Sequence, residues 1–237
     1  MWGQLLTKNG NKHNTMKKTV SLLSLAVALF AGLSGNAQAD GFKIGADVVS
    51  SYVWRGGELN SSPAIQPAVS YTFPNSGIVA GAWGTSAFSE SSGSRYQETD
   101  LYVTMPVGPA TVTVTNYYVP VAGNNKAFDF NSAGANTVEL STAYTKENLS
   151  LLAAVNVTGN TFNTAKYFEA GYKIYDQEKY TAKAFIGAGD KAQYAIGFGT
   201  GFAVVNLGVT LAKESYSTSY VYNPASEKAN FVFMASF

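Results

Sequence analysis

Short segments in which polar and apolar residues alternate dominate the chain after Asp40. A period of two residues places alternate side chains on opposite faces of a β-strand. Residues 64–73 show the pattern clearly, because Ile65, Val69 and Tyr71 oppose Gln66, Ser70 and Thr72. Residues 202–213 repeat it, and no 3.6-residue period typical of helices is evident. The alternation therefore predicts an all-β fold.

The number and length of these segments favour a transmembrane barrel. Most are close to the roughly 9–11 residues that a tilted membrane strand needs. We therefore expect an antiparallel up-and-down β-barrel of about 12 strands, with a range of about 10 to 14. The predicted strands are 41–55, 64–73, 77–87, 95–105, 109–119, 136–145, 149–158, 166–175, 179–189, 191–199, 202–213 and 229–237.

The connections between these segments alternate in length. Short turns on one side and long loops on the other are typical of outer-membrane barrels, with the short side periplasmic. One connection, Asp190-Lys191, is tight where a long loop is expected. The short turns include Pro74–Ser76, Pro106–Gly108, Lys146–Asn148 and Thr200–Gly201, and the long loops are Gly56–Pro63, Phe88–Ser94, Pro120–Ala135 and Glu214–Lys228. An even strand count places both termini on the short-turn side.

An alternating chain can also form a soluble β-sandwich, in which the apolar faces pack against each other. Aromatic residues near strand ends favour the membrane barrel, because aromatic rings gather at both membrane interfaces. We therefore expect these rings to lie at the two membrane interfaces. They are Tyr52, Trp54, Tyr71, Phe73, Tyr117, Tyr118, Tyr172, Tyr175 and Tyr180.

The chain begins with the pattern of a secretory signal peptide. Lys17 and Lys18 are followed by the apolar run Val20–Leu33 and by Ala37-Gln38-Ala39, an A-x-A cleavage site. The run is shorter than the roughly 20 apolar residues of a spanning helix. We expect cleavage after Ala39 and export to the outer membrane of a Gram-negative bacterium. The expected division is a start called too early (1–15), the signal peptide (16–39) and the barrel (40–237).

The last predicted strand carries three phenylalanines on one face. Phe231, Phe233 and Phe237 alternate with smaller residues up to the last position of the sequence. A terminal aromatic on an amphipathic strand resembles the signal that outer-membrane assembly machinery reads. We therefore expect that machinery and membrane lipid to be partners of this chain.

The first third of the barrel carries a family resemblance. Ser50–Gly56 (SSYVWRG) followed by Pro63–Pro67 (PAIQP) resembles the opening of the TorF-like family of porin-type proteins. Gly81–Ser86 is similar to that family's Gly-x-Trp-x-Ser strand end, with one extra residue, and Glu98–Tyr102 to its acidic-x-Asp-x-Tyr strand. The resemblance covers about Gly45–Tyr102. It implies an outer-membrane barrel with a channel role and supplies no substrate.

Histidine and cysteine are absent after the cleavage site. The single histidine, His13, precedes it, and the sequence contains no cysteine. Catalysis by a histidine base and metal sites built from these residues are therefore excluded. All 15 acidic residues lie after Ala39, whereas four of the 16 basic residues precede it, so nucleic-acid binding is not expected. We predict no enzymatic activity, catalytic residue, metal site or cofactor.

The face opposite the predicted lipid face should line the lumen. About twelve strands enclose a narrower interior than the 16–18 strands that leave a wide channel. The predicted lining residues are Lys43, Asp47, Arg55, Glu98, Asp100, Tyr102, Glu139, Glu169, Lys173 and Lys183. Glu98 and Asp100 share a strand face, as a catalytic pair of carboxylates would. Two acidic residues that simply line a water-filled lumen would show the same spacing, and we favour this interpretation. The Pro120–Ala135 loop is a candidate to fold inward.

These features predict a porin-like channel for passive diffusion of small hydrophilic solutes. An alternative is a closed outer-membrane barrel whose surface loops bind a partner. An outer-membrane enzyme is the third hypothesis, and the missing histidine disfavours it.

Overall fold

The computed structural model describes residues 41–90, 94–120, 123–159 and 164–237. The expected upstream start and signal peptide, residues 1–39, lie outside these ranges. Within them, no helix has the length and apolar character that a membrane crossing requires.

β-Strands are the main secondary structure of the described residues. In chain order the elements are β1 (Phe42–Val49), β2 (Tyr52–Trp54), β3 (Gly57–Asn60), β4 (Ala64–Thr72), β5 (Val79–Ala87), β6 (Gln97–Val107), β7 (Ala110–Tyr118), β8 (Asn136–Lys146), β9 (Leu149–Gly159), β10 (Lys166–Gln177), β11 (Tyr180–Asp190), α1 (Lys191–Tyr194), β12 (Phe202–Lys213), β13 (Tyr216–Asn223) and β14 (Lys228–Ser236).

Twelve of these strands form one closed antiparallel barrel. Every wall strand pairs with its neighbours along the chain, and β2 and β3 pair only with each other. The barrel closes where β1 meets β14, with Asp47 opposite Ser236. Backbone hydrogen bonds between Ala46 and Phe237 extend this seam. The prediction of an all-β up-and-down barrel of about 12 strands is confirmed, and the sandwich alternative is wrong.

The predicted number of strands is right, although one predicted strand is not a strand and one predicted loop contains a strand. Residues 191–199, predicted as a strand, contain the helical turn α1 and belong to a connection that runs to Gly201. Residues 214–228, predicted as a loop, contain the wall strand β13. The two errors cancel in the count. With these corrections, Asp190-Lys191 is no longer an exception to the alternation of short turns and long loops. The connection after β11 is long, and the tight turn lies at Glu214-Ser215.

Short and long connections alternate around the barrel, as predicted. One end carries the turns 73–78, 108–109, 147–148, 178–179 and 214–215 together with both ends of the barrel chain. We call this the short-turn end. The other, the long-loop end, carries the remaining connections, which range from 224–227 to 119–135.

The two faces of the wall differ in polarity. Large apolar side chains are exposed on the outside, among them Phe42, Ile44, Val69, Leu101, Val103, Leu140, Phe168, Ile186, Leu207, Leu211, Phe231 and Phe233. Polar side chains are buried on the inside, among them Asp47, Gln66, Ser70, Asp100, Thr113, Glu139 and Asn206. This arrangement is the reverse of a water-soluble protein, which keeps its large apolar side chains inside.

The first predicted strand, 41–55, ends early. β1 stops at Val49, and the chain then leaves the wall to form the β2–β3 hairpin. Tyr52 is therefore buried instead of facing lipid, with only 5% of its surface exposed. Tyr117 is also buried, whereas Phe73, Tyr172, Tyr175 and Tyr180 are exposed as expected for outward rings.

Candidate functional site

The β2–β3 hairpin folds into the barrel lumen. Its turn is formed by Arg55 and Gly56, whose φ values of 49° and 83° match the two positive φ values of a type I′ turn. Trp54 and Gly57 pair on either side of this turn. We call residues 52–60 the lumen hairpin.

The base of the lumen hairpin packs against the wall through aromatic rings. The Tyr52 ring lies 5.5 Å from that of Trp83 on β5 and 5.9 Å from that of Tyr96 before β6. The Trp54 ring lies 5.7 Å from that of Tyr117 on β7. Contacts of this kind stabilise beyond the area they bury, and they fix the hairpin against three neighbouring strands.

Arg55 joins the tip of the lumen hairpin to the opposite wall. Its guanidinium donates two hydrogen bonds to Glu139 on β8, at 2.6 and 2.9 Å. It also donates to the Tyr194 hydroxyl at 3.0 Å and lies 4.5 Å from the ring centroids of both Trp54 and Tyr167. Burial lowers the pKa of the Arg55 guanidinium, but attraction to the Glu139 carboxylate outweighs this and raises it above its ordinary value.

The backbone of the hairpin tip is held as well. Asn223 on β13 donates from Nδ2 to the Gly56 carbonyl at 3.2 Å and to the Tyr194 carbonyl at 2.8 Å. A Cβ atom on Gly56 would lie 1.8 Å from the Val205 carbonyl oxygen, so only glycine fits here. Tyr194, in α1, packs between Trp54 and Tyr167 in tilted ring contacts, at 5.5 and 5.1 Å between ring centroids.

A second polar group lies beside the hairpin on β6. Glu98 accepts a hydrogen bond from the Tyr96 hydroxyl at 2.9 Å. Asp100 is 1% exposed, and its carboxyl group lies within hydrogen-bonding reach of that of Glu98. It lies directly across from Trp83 on one neighbouring strand and Tyr117 on the other.

Below the lumen hairpin the barrel encloses a cavity of about 620 Å³, which we call the lumen chamber. It extends from Arg55 to Glu214 and Ser215 at the short-turn end. Its wall is rich in hydroxyl and charged groups, including Ser70, Tyr102, Thr104, Thr113, Thr210 and Ser219. On this wall, Lys183 on β11 and Glu169 on the neighbouring strand β10 form an ion pair, with 3.9 Å between Nζ and Oε1.

Most of the predicted lining residues meet at this chamber. Those on its surface are Lys43, Arg55, Asp100, Tyr102, Glu139, Glu169 and Lys183. Asp47 and Glu98 are buried in the wall on the same strand faces. Lys173 lies apart, half-exposed and paired with Asp176 at 2.7 Å. No group of three or more acidic side chains in the described ranges could hold a metal ion.

The segment that enters the lumen differs from the one suggested by the sequence. The described part of the Pro120–Ala135 loop is largely exposed, including Phe128. The lumen hairpin occupies the lumen instead. The available sequence signals were Ser50-Ser51, which interrupts the alternation, and Arg55-Gly56-Gly57, which suits a tight turn.

The wall and its interior define the structural class of this protein, which is a closed twelve-stranded β-barrel with a hairpin of its own chain inside the lumen. The sequence model of a bacterial family described as "Bacterial protein of unknown function (Gcw_chp)" matches residues 35–233. The chain belongs to that family. No curated protein matches it.

Proposed function

We propose that this protein is an outer-membrane channel for passive diffusion of small hydrophilic solutes, narrowed by its lumen hairpin. The apolar outer wall supports a membrane location, because lipid-facing side chains of barrels are apolar and a closed barrel leaves no backbone group unpaired. Export through a signal peptide cleaved after Ala39 and assembly guided by Phe237 are part of this proposal. The resemblance to TorF-like porins agrees with it.

The observation that carries the transport proposal is the lumen chamber. A barrel that served only as an anchor could fill its interior with apolar side chains. This one has hydroxyl and charged side chains around a cavity that reaches the short-turn end. Such a lining replaces part of the hydration of a polar solute, whereas an apolar lining would exclude it.

Single-channel recording tests this proposal. The full chain would be expressed in a Gram-negative host, purified from its membranes and inserted in a planar bilayer. We expect discrete conductance steps that are small for a twelve-stranded barrel, because the lumen hairpin narrows the path. Insertion without any conductance at any voltage would reject the channel.

The second candidate is a closed barrel whose long loops bind a partner. The buried contacts of Arg55 with Glu139 favour it, because a permanently fixed hairpin would block passage. A silent barrel that retains a surface ligand would support this alternative. Enzymatic activity is not proposed, since the sequence after Ala39 lacks the histidine that outer-membrane barrel enzymes typically use as a base.

A further inference from the structure

We propose that the lumen chamber binds neutral sugars, with Phe185 on β11 as the platform for the sugar ring. This inference names the solute class of the proposed channel and rests on that proposal. A sugar ring has C–H groups on its faces and hydroxyl groups at its edge, and each hydroxyl both donates and accepts hydrogen bonds. A site for it therefore needs an aromatic surface beside closely spaced donors and acceptors.

The first observation is an aromatic ring that lies across the inner wall. Phe185 is paired across the sheet with Gly208 on β12. A Cβ atom on Gly208 would lie 2.5 and 2.9 Å from two atoms of the Phe185 ring, so the ring occupies the space of the missing side chain. Phe185 lies on the surface of the chamber and is only partly buried. It offers the solute an accessible aromatic surface, which attracts the weakly positive C–H groups of a sugar.

The second observation is a pair of opposite charges beside this ring. Gly171 on β10 is the other cross-strand neighbour of Phe185. The Lys183 side chain passes over Gly171, whose added Cβ atom would lie 2.1 Å from Lys183 Cε. Lys183 Nζ is 3.9 Å from Oε1 of Glu169, which is longer than a hydrogen bond of about 2.7–3.2 Å. The side chain of Lys183 is 32% exposed, so its ammonium is accessible from the chamber.

This charge pair suits a hydroxyl group better than an ion. One sugar hydroxyl can accept a hydrogen bond from the ammonium of Lys183 and donate one to the carboxylate of Glu169. The two charges cancel, so the pair has no net attraction for either a cation or an anion. The solute that this part of the chamber fits is therefore neutral.

The third observation is a pair of hydroxyl groups on the neighbouring strands. Thr210 on β12 lies across from Lys183, and Ser219 on β13 lies across from Thr210. Their hydroxyl oxygens are 2.8 Å apart, and both side chains are partly exposed on the surface of the chamber. A hydroxyl group has one donor and two acceptor positions, so this pair keeps hydrogen-bonding capacity for a solute.

A second ring lies on the far side of the chamber. Tyr102 on β6 covers Gly81, whose added Cβ atom would lie 2.3 Å from the Tyr102 hydroxyl oxygen. β6 and β11 are five strands apart in the wall of twelve, so Tyr102 and Phe185 lie on nearly opposite sides. The chamber of about 620 Å³ has the size of a small-molecule site, for which roughly 300–1,000 Å³ is usual. A sugar entering from the short-turn end would pass between the two rings.

Saturation-transfer NMR of the detergent-solubilised barrel tests this site. The detergent is an alkyl dimethylamine oxide, because it contains no sugar. The probe is methyl β-D-glucopyranoside, and the control solute is sorbitol, an open-chain polyol without a ring face. We expect saturable transfer to the ring C–H protons of the glucoside and none to sorbitol beyond a protein-free sample. Equal transfer to both solutes, or transfer to neither, would overturn the sugar site.

A pair of matched substitutions locates the binding. Phe185→Leu removes the aromatic ring but keeps an apolar side chain, and it should weaken glucoside binding about fivefold, the loss expected for one aromatic contact. Phe168→Leu is the control, because Phe168 is 52% exposed on the outer face of the neighbouring strand β10. It should leave binding unchanged. Equal weakening by both substitutions would overturn the role of Phe185.

Binding in detergent is independent of transport, so the two proposals can fail separately. A barrel that conducts but does not bind the glucoside rejects the sugar site alone. A barrel that binds the glucoside at Phe185 but never conducts supports the site and rejects the channel. The comparison with sorbitol uses the unsubstituted protein and does not depend on the folding of any variant.

Discussion

Arg55 shows how one residue can determine where a segment lies. Burying a guanidinium and a carboxylate costs several kcal/mol of desolvation per ion, which only complete pairing offsets. Here Glu139 accepts two hydrogen bonds, Tyr194 accepts a third, and two aromatic rings flank the cation. Few other positions in the lumen would satisfy this group. We infer that the pair specifies the position of the hairpin more than it stabilises the barrel.

Gly56 gives a residue-scale prediction. Gly56→Ala should lower the free energy of unfolding by about 2–4 kcal/mol, because the new Cβ meets the Val205 carbonyl and also suffers a positive φ. Gly197 has a similar φ of 87° with open space around its Cβ position. Gly197→Ala should therefore cost only about 1 kcal/mol. Urea titration in detergent measures both, and equal losses would mean that the hairpin tip is not held against β12.

At the scale of elements, the sequence predicted wall strands well where one face stays apolar and the other stays polar over eight or more residues. β4 and β12 are examples, and their bounds differ by at most one residue from those expected. The failures have physical causes. Residues 191–199 alternate in polarity, but Gly197 and Gly199 adopt positive φ values that end an extended strand. β13 consists mostly of tyrosine and small polar residues, a composition that also suits a loop.

The lumen hairpin could not be located from periodicity. Tyr52 and Trp54 continue the apolar face of β1, so alternation alone predicts that their side chains face lipid. Their burial depends on Trp83, Tyr117 and other rings contributed by distant strands. The lining of the chamber, by contrast, was largely predictable, because every second residue of a wall strand points to the same face of the wall.

Cysteine labelling tests the assignment of β13 as a wall strand. The chain has no native cysteine, so single substitutions give clean signals. Ser217→Cys and Ser219→Cys should react with a water-soluble maleimide, because both side chains line the chamber. Tyr220→Cys should not react in vesicles, since Tyr220 is on the outer face. Labelling at all three positions would indicate a loop instead.

At the scale of the molecule, the inner face of the wall is polar and the outer face is apolar. A closed wall pairs every strand edge, so a membrane around the barrel would contact side chains alone. Near the lumen hairpin, the carboxyl groups of Glu98, Asp100 and Glu139 lie close together, and Arg55 pairs with Glu139. This excess of negative charge should favour cations in transit, because low-dielectric walls strengthen such interactions.

Ion selectivity tests this charge arrangement. Replacing Glu98 and Asp100 together by lysine should shift the reversal potential in a salt gradient toward anion preference. The neutral pair Glu98→Gln and Asp100→Asn should shift it less, in the same direction. As a control, lysine at Glu147 and Glu178 makes the same charge change in exposed turns. It should have a small effect, because salt screens exposed charges. Unchanged selectivity in conducting lysine variants would show that the acidic pair does not face the path.

The central claim is that the lumen hairpin obstructs a polar channel, and removing it tests the claim most directly. Val49 and Ala64 are paired neighbours, so an Asn-Gly turn can join β1 to β4 in place of residues 50–63. Shortening the exposed 123–132 loop provides a matched control. Single-channel conductance should rise severalfold without the hairpin and stay unchanged in the control. An unchanged conductance in the hairpin deletion, with the barrel still folded and inserted, would contradict the account.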